Sequence, residues 1–130
     1  MSDPPVVLDA SALLALLQDE PGADMVVSHL PHAVISAVNL SEVVAKLADY
    51  GIAAAQRQAA LAGLDLDIRP FDAEAAYAAG SLRDMTRKLG LSLGDRACLA
   101  LAIQLGGAAV TTDRAWAALP AEAFRVEVIR

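Results

Sequence analysis

Val6-Val7-Leu8-Asp9-Ala10-Ser11-Ala12 is the stretch on which the reading of this chain turns. Three consecutive apolar residues, two of them β-branched, end abruptly at an acid. A continuous apolar run, unlike an alternating one, suits a strand covered on both faces, as in parallel sheets. The pattern then switches to helical spacing over 11–18, stopped before Pro21-Gly22. The same alternation runs outward along the chain. Helical patterns cover 23–30, 39–50 (closed by Gly51) and 52–63, and a long one runs over 72–89, capped by Asp72 and closed by Gly90. A further helix runs from Ser92 to about Leu105, before Gly106-Gly107, and a short one covers 114–119. Short apolar runs at 33–38, 66–71, 108–111 and 125–129 supply the remaining strands. Strands alternating with helices predict an α/β fold with a mostly parallel central sheet of about five strands flanked by helices.

With 130 residues, the chain is read as a single domain, 1–130. Hydrophobic residues make up 56% and charged residues 20%, too apolar a balance for a disordered segment. Cys98 is the only cysteine, so an internal disulfide is impossible and a reducing compartment is expected. Met1-Ser2-Asp3-Pro4-Pro5 reads as an ordinary polar start rather than a leader. Charged or amide residues break every apolar stretch well short of the roughly 20 needed to span a bilayer. The expectation is a cytoplasmic protein with no membrane association. Lys and Arg number 10 against 16 Asp and Glu, a net charge of −6. Such a surface repels nucleic-acid phosphates unless clustered carboxylates hold cations that invert the local field.

The acids do fall at related places. Asp9 and Asp113 directly follow strands, where ligands of open α/β sheets gather. Glu42, in Asn39-Leu40-Ser41-Glu42, and Asp95, in Ser92-Leu93-Gly94-Asp95, are read into the first turns of helices. Gathered at one end of the sheet, four carboxylates would repel and raise one another's pKa unless a cation neutralised them. Oxygen donors without His or Cys suit Mg²⁺ or Mn²⁺, which activates water and stabilises the leaving oxygen of a phosphodiester. Each acid also has a purely structural reading. Asn39-x-x-Glu42 and Ser92-x-x-Asp95 have the form of capping boxes, and Asp9 and Asp113 could each cap the helix that follows.

Four blocks, in order across nearly the whole chain, resemble the PIN-domain nucleases, and among them the VapC-type toxins of type II toxin–antitoxin pairs. They are Val6 to Ala12, Ile35-Ser36-Ala37-Val38-Asn39-Leu40-Ser41-Glu42-Val43, the stretch from Leu91 to Ala102 around Asp95, and Val110-Thr111-Thr112-Asp113-Arg114-Ala115-Trp116. The resemblance implies a Mg²⁺- or Mn²⁺-dependent endoribonuclease. Asp9 and Asp95 match the acids most directly tied to metal, and Glu42 and Asp113 match the other two catalytic, metal-binding acids. Ser11, Asn39 and Thr111 match supporting polar positions, although Ser11 could equally cap a helix and Thr111 be an ordinary strand residue. Implied partners are RNA, a cognate VapB-type antitoxin and a second copy in a homodimer.

Other residues invite plainer readings. Leu13, Leu14, Leu16, Leu17, Val43, Val44, Leu47 and Ile52 are taken mostly as core, with some surface left for an interface. Arg96 and Arg114 each follow a site acid and are read as structural or surface pairs, with contact to substrate phosphates as the alternative. Arg83, Arg87 and Lys88 form a solvated or RNA-guiding basic face, and Lys46 an i,i+4 partner of Glu42. His29 and His32 are too isolated to read as ligands or bases. Cys98 is a buried small hydrophobe and Trp116 packs the short helix after Asp113. Competing functions are a catalytically silent PIN module for protein binding, a phospho-receiver domain with Asp72 as acceptor, and a covalent-Asp phosphatase. The last needs a second acid two residues after Asp9, where Ser11 stands.

Overall fold

A computed structural model of the chain describes residues 4–130; the polar start read at residues 1–5 lies partly outside the described residues. The apolar tripeptide Val6–Leu8 forms β1 and sits at the centre of a five-stranded, all-parallel sheet. The other strands are β2 (Ala33–Ser36), β3 (Asp67–Arg69), β4 (Ala108–Thr111) and β5 (Val126–Val128), in the spatial order β3-β2-β1-β4-β5. The helices are α1 (Ala10–Leu17), α2 (Ala23–His29), α3 (Ala37–Asp49), α4 (Ala54–Ala62), α5 (Ala73–Ser81), α6 (Arg83–Thr86) and α7 (Leu93–Leu105).

The unbroken apolar strands have the cause inferred from sequence. Val7, Val34 and Ala109 face a core shared with Ala79, Leu82, Cys98, Leu99 and Trp116. Val6, Leu8, Ile35 and Val110 face the opposite core, with Leu13, Val26, Val43 and Leu47. Each fully buried Leu, Ile or Val in these layers stabilises the fold by roughly 1.5–3 kcal/mol. The chain leaves β1 towards β2 on one side and returns from β3 to β4 on the other. The sheet therefore has its topological switch point between β1 and β4, where α/β proteins open a crevice.

Several boundaries differ from the sequence reading. The strand read over 33–38 stops at Ser36, whose Oγ accepts from Val38 N at 3.2 Å and caps α3. The side-chain acceptor ends the extended run two residues before the β-branched pattern does. The strand over 66–71 shrinks to Asp67–Arg69, an edge strand with exposed Asp67 and Ile68. The single helix read over 72–89 is three pieces: α5, α6 and a 3-10 turn over Arg87–Leu89. Gly80 and Ser81 are weak helix formers at the break, and Thr86 Oγ1 donates to Leu82 O at 2.8 Å. The helix after Asp113 is a 3-10 turn, Arg114–Ala118. Gly106, at φ +67°, closes α7 in the left-handed conformation that glycine adopts without strain. Among the described residues, no helix is long and apolar enough to cross a membrane.

Candidate active site

Asp9 leaves β1 at the switch point and caps α1, its Oδ1 accepting from Ala12 N at 2.8 Å. The capping reading of this residue therefore holds, yet the carboxylate does more. Ser11 Oγ donates to Oδ1 at 2.7 Å and Thr111 Oγ1, from the end of β4, donates to Oδ2 at 2.5 Å. Both hydroxyls are oriented by the backbone beyond β4: Ser11 Oγ accepts from Thr112 N and Thr111 Oγ1 from Asp113 N, each at 3.0 Å. With a lone pair so engaged, each hydroxyl turns its proton to Asp9. Three donors thus favour the ionised carboxylate, while burial and the charge of Asp95 oppose it. Burial wins, pushing the carboxyl from 3.8 up to about 6.

Asp95 sits in the first turn of α7. Ser92 N donates to its Oδ2 at 3.0 Å, and Asp95 N donates to Ser92 Oγ at 3.1 Å, so the capping box read from the sequence is formed. Glu42 is different. Because α3 begins at Ala37, Glu42 lies beyond the first turn, and the expected Asn39 capping box does not exist. Instead Asn39 and Glu42 share one face of α3. Asn39, 1% exposed, donates both amide hydrogens, to Glu42 Oε1 at 2.9 Å and to Gly94 O at 3.0 Å. Its Oδ1 is buried without a partner. Burial, and then Asp95, push the Glu42 carboxyl above its ordinary value, against the Asn39 hydrogen bond.

Gly94 is the position beside these acids that sequence reasoning missed. A Cβ there would lie 2.4 Å from both Glu42 carboxylate oxygens. The missing side chain admits that carboxylate to the N-terminal turn of α7, the positive end of the helix dipole. A poor helix former at the second position of α7 was the available signal.

Asp113 is set apart. Its Oδ1 accepts from Ala115 N at 3.0 Å, which makes it the cap of the 3-10 turn, and the residue is exposed. It adjoins the site through its backbone N–H on Thr111, but it does not contribute to the shift at Asp9. Asp9, Glu42 and Asp95 do share a field. All three raise the Cys98 thiol further above its ordinary value, where burial already holds it.

Among the described residues no cation pairs with these four acids. Nor are three His, Cys, Asp or Glu side chains already drawn close enough to hold an ion. The donors nonetheless fit a hard divalent cation. All are oxygens, their negative charge is uncompensated, and Asn39, bonded to Glu42 through its amide nitrogen, keeps a buried neutral acceptor, Oδ1, without a partner. The residues that could hold such an ion are Asp9, Asp95, Glu42 and Asp113.

The neighbouring cations and other residues take up separate roles. Lys46 makes no ion pair with Glu42. Arg96 is buried and gives Nη1 to Ala79 O at 3.1 Å, and Arg114 Nε donates to Arg130 O at 3.2 Å, so neither pairs with an Asp or Glu side chain. Arg83, Arg87 and Lys88 lie on α6 and the 3-10 turn after it, with Arg87 3.4 Å from Asp84. His29 is not isolated: its Nε2 is 2.8 Å from Glu127 Oε2 on β5. Leu13, Val43 and Leu47 are core, and Cys98 and Trp116 are buried as expected. Asp72, the acceptor of a phospho-receiver, is an exposed cap of α5 after edge strand β3, away from the switch point.

A model of the PIN domain matches residues 6–122. No curated protein matches the chain. Among solved structures, a toxin–antitoxin complex from Klebsiella pneumoniae is similar with a TM-score of 0.74 and 21% identity, over 96% of this chain and 98% of that one. DNA-bound VapBC from Salmonella typhimurium is similar at TM-score 0.73 and 20% identity, over 96% and 98%. A member of the VapBC family of toxin–antitoxin systems, VapBC-5 from Mycobacterium tuberculosis, reaches 28% identity at TM-score 0.60, over 98% and 99%.

Proposed function

Because this chain belongs to the PIN-domain family, whose members are nucleases, we propose that it is a metal-dependent endoribonuclease, the toxin half of a VapBC-type pair. The observation that carries this reading is the buried Asp9 carboxylate. It lies at the β1/β4 switch point, held towards ionisation by Ser11 and Thr111, in the field of Asp95, which also acts on Glu42. Asp9 and Asp95 are the principal holders of Mg²⁺ or Mn²⁺, with Glu42 and Asp113 completing the acidic set. When bound, the ion supplies Lewis acidity that activates water and stabilises the leaving oxygen of an RNA phosphodiester.

The chain's own residues do the rest. Ser11 and Thr111 fix both oxygens of Asp9 and keep its proton off at neutral pH. Asn39 ties α3 to α7 through Gly94 O, and the same amide holds Glu42 Oε1. The capping box holds Asp95 in one rotamer. In the proposed assembly a VapB-type antitoxin covers the site, and two copies associate as a homodimer in the cytoplasm. The solved toxin–antitoxin complexes support the antitoxin. Exposed Tyr77, Met85 and Leu93 offer apolar surface for association.

The test is incubation of the purified protein, free of any partner, with a pool of structured RNAs in Mg²⁺, Mn²⁺ or EDTA. Asp95→Asn is the control, because asparagine keeps an acceptor for the capping box. Cleavage should require metal and vanish in the variant. Metal-independent cleavage, or cleavage surviving Asp95→Asn, would overturn the reading.

A further inference from the structure

A cavity of about 190 Å³ lies on the α5/α7 face of the sheet, outside the carboxylate cluster. It is smaller than the roughly 300–1,000 Å³ of sites for drug-sized ligands and suits a single flat ring system. Its floor is Ser36 at the end of β2. Leu8 pairs with Ile35, so Ser36 takes the next position in register, beside Asp9 on the neighbouring strand about 4.8 Å away. Val7 and Val34 face the same core, so Asp9 and Ser36, two residues on, turn to that face as well. One helix walls both places: α7 carries Asp95 in its first turn and lines the cavity with Ala100 and Gln104 further along. The cavity thus adjoins the carboxylate crevice.

Its lining has the chemistry of base recognition. Half-buried Phe71 supplies an aromatic ring to the lining, and the small side chain of Ala100 lines it too. The exposed Glu74 carboxylate has no protein partner and presents two acceptors, and Gln104 presents an amide. Arg69, at the rim, is already held by Asp67 through contacts of 2.9 and 3.1 Å. The free polar groups are therefore mainly acceptors, and they call for a ligand edge carrying adjacent N–H donors. Among RNA bases guanine has that edge, in its N1–H and exocyclic amino group.

We propose that this cavity receives one unstacked guanine of the RNA strand cut at the carboxylate crevice, stacked on Phe71 and read by Glu74 and Gln104. The proposal rests on the nuclease reading above and gives that site a sequence preference. Two measurements test it apart from that reading. First, guanosine, adenosine, cytidine and uridine monophosphates are titrated into isotope-labelled, metal-free protein. The guanosine nucleotide should shift the Gln104 side-chain amide and the Ala75 and Ala100 backbone amides most strongly, and Glu74→Gln should erase the preference. Equal shifts from all four, or none at these positions, would overturn it.

Second, cleavage sites are mapped in a random-sequence RNA pool. Guanine should be enriched beside the cut, and in Glu74→Gln the guanine-flanked sites should lose roughly tenfold in share, as expected for losing a bidentate base contact. Unchanged site preference in both Glu74→Gln and Gln104→Ala would refute the pocket and leave the nuclease standing. Absence of cleavage together with guanosine-selective shifts would refute the nuclease and leave the pocket.

Discussion

Ionising Asp9 in the metal-free fold should cost stability, and the cost can be worked from its environment. Its carboxyl titrates near 3.8 when unfolded and at about 6 when folded. A raised folded value means that the folded state binds the proton more tightly. The associated stability is fully present below the unfolded pKa and is lost as pH rises through the folded one. The gap of about two pH units corresponds to roughly 3 kcal/mol, lost mainly between about pH 4 and pH 6. For a domain of this size that is on the order of 10 °C in Tm.

Urea unfolding in EDTA, from about pH 4 to pH 8, would be compared for the wild type and Asp9→Asn, so that other titrating groups cancel. The wild type should fall relative to the variant by about 3 kcal/mol across that range. Millimolar Mg²⁺ should restore the wild type above about pH 6, by mass action on the ionised form, and leave the variant unmoved. A difference curve that stays flat within about 0.5 kcal/mol would refute the claim that burial outweighs the three hydrogen bonds.

Further outcomes follow from the same contacts. Thr111→Val removes a charge-assisted hydrogen bond worth about 1.5 kcal/mol, so the Asp9 carboxyl should titrate about one unit higher by carbon NMR; an unchanged midpoint would mean that Ser11 and Ala12 N suffice. Gly94→Ala puts a methyl group 2.4 Å from the Glu42 oxygens. That carboxylate is the end of a flexible side chain and can swing away, so thermal stability should change by no more than about 1 kcal/mol while cleavage falls about tenfold or more. Loss of stability with retained cleavage would contradict the proposed seat of Glu42. Gly107→Ala meets the backbone oxygen of Pro5, which cannot swing away, and should destabilise by about 1–3 kcal/mol in calorimetry. A variant as stable as the parent would show that the chain before β1 yields freely.

The apolar runs at Val6–Leu8 and Ala108–Thr111 were legible because both faces of those strands are covered, which removes polar alternation from the sequence. The caps at Asp9, Ser92 and Asp113 were legible because capping depends on local spacing. The start of α3 was not, because Ala37 and Val38 extend the β-branched pattern and only the Ser36 hydroxyl ends it. The break after α5 was hidden by a long run of good helix formers over 73–79. At the site, all seven residues singled out lie on the elements expected to carry them, but their division of labour was invisible. That Asn39 reaches Gly94, 55 positions away, depends on how α3 packs on α7. Asp113 looked equivalent to Asp9 from its strand-end position. Only the fold reveals that one is buried under two hydroxyls and the other exposed as a cap.

The lone thiol gives α7 a built-in chemical clock. Cys98 is fully buried, with Sγ 3.7 Å from Val7 O, and three carboxylates discourage its ionisation. An alkylating reagent can reach it only when α7 lifts from β1, the motion that would also carry Asp95 away from Asp9. Labelling rates read by mass spectrometry therefore time the opening of the carboxylate crevice itself. A divalent ion or a clamping partner that joins α7 to β1 should slow that clock without touching the sulfur.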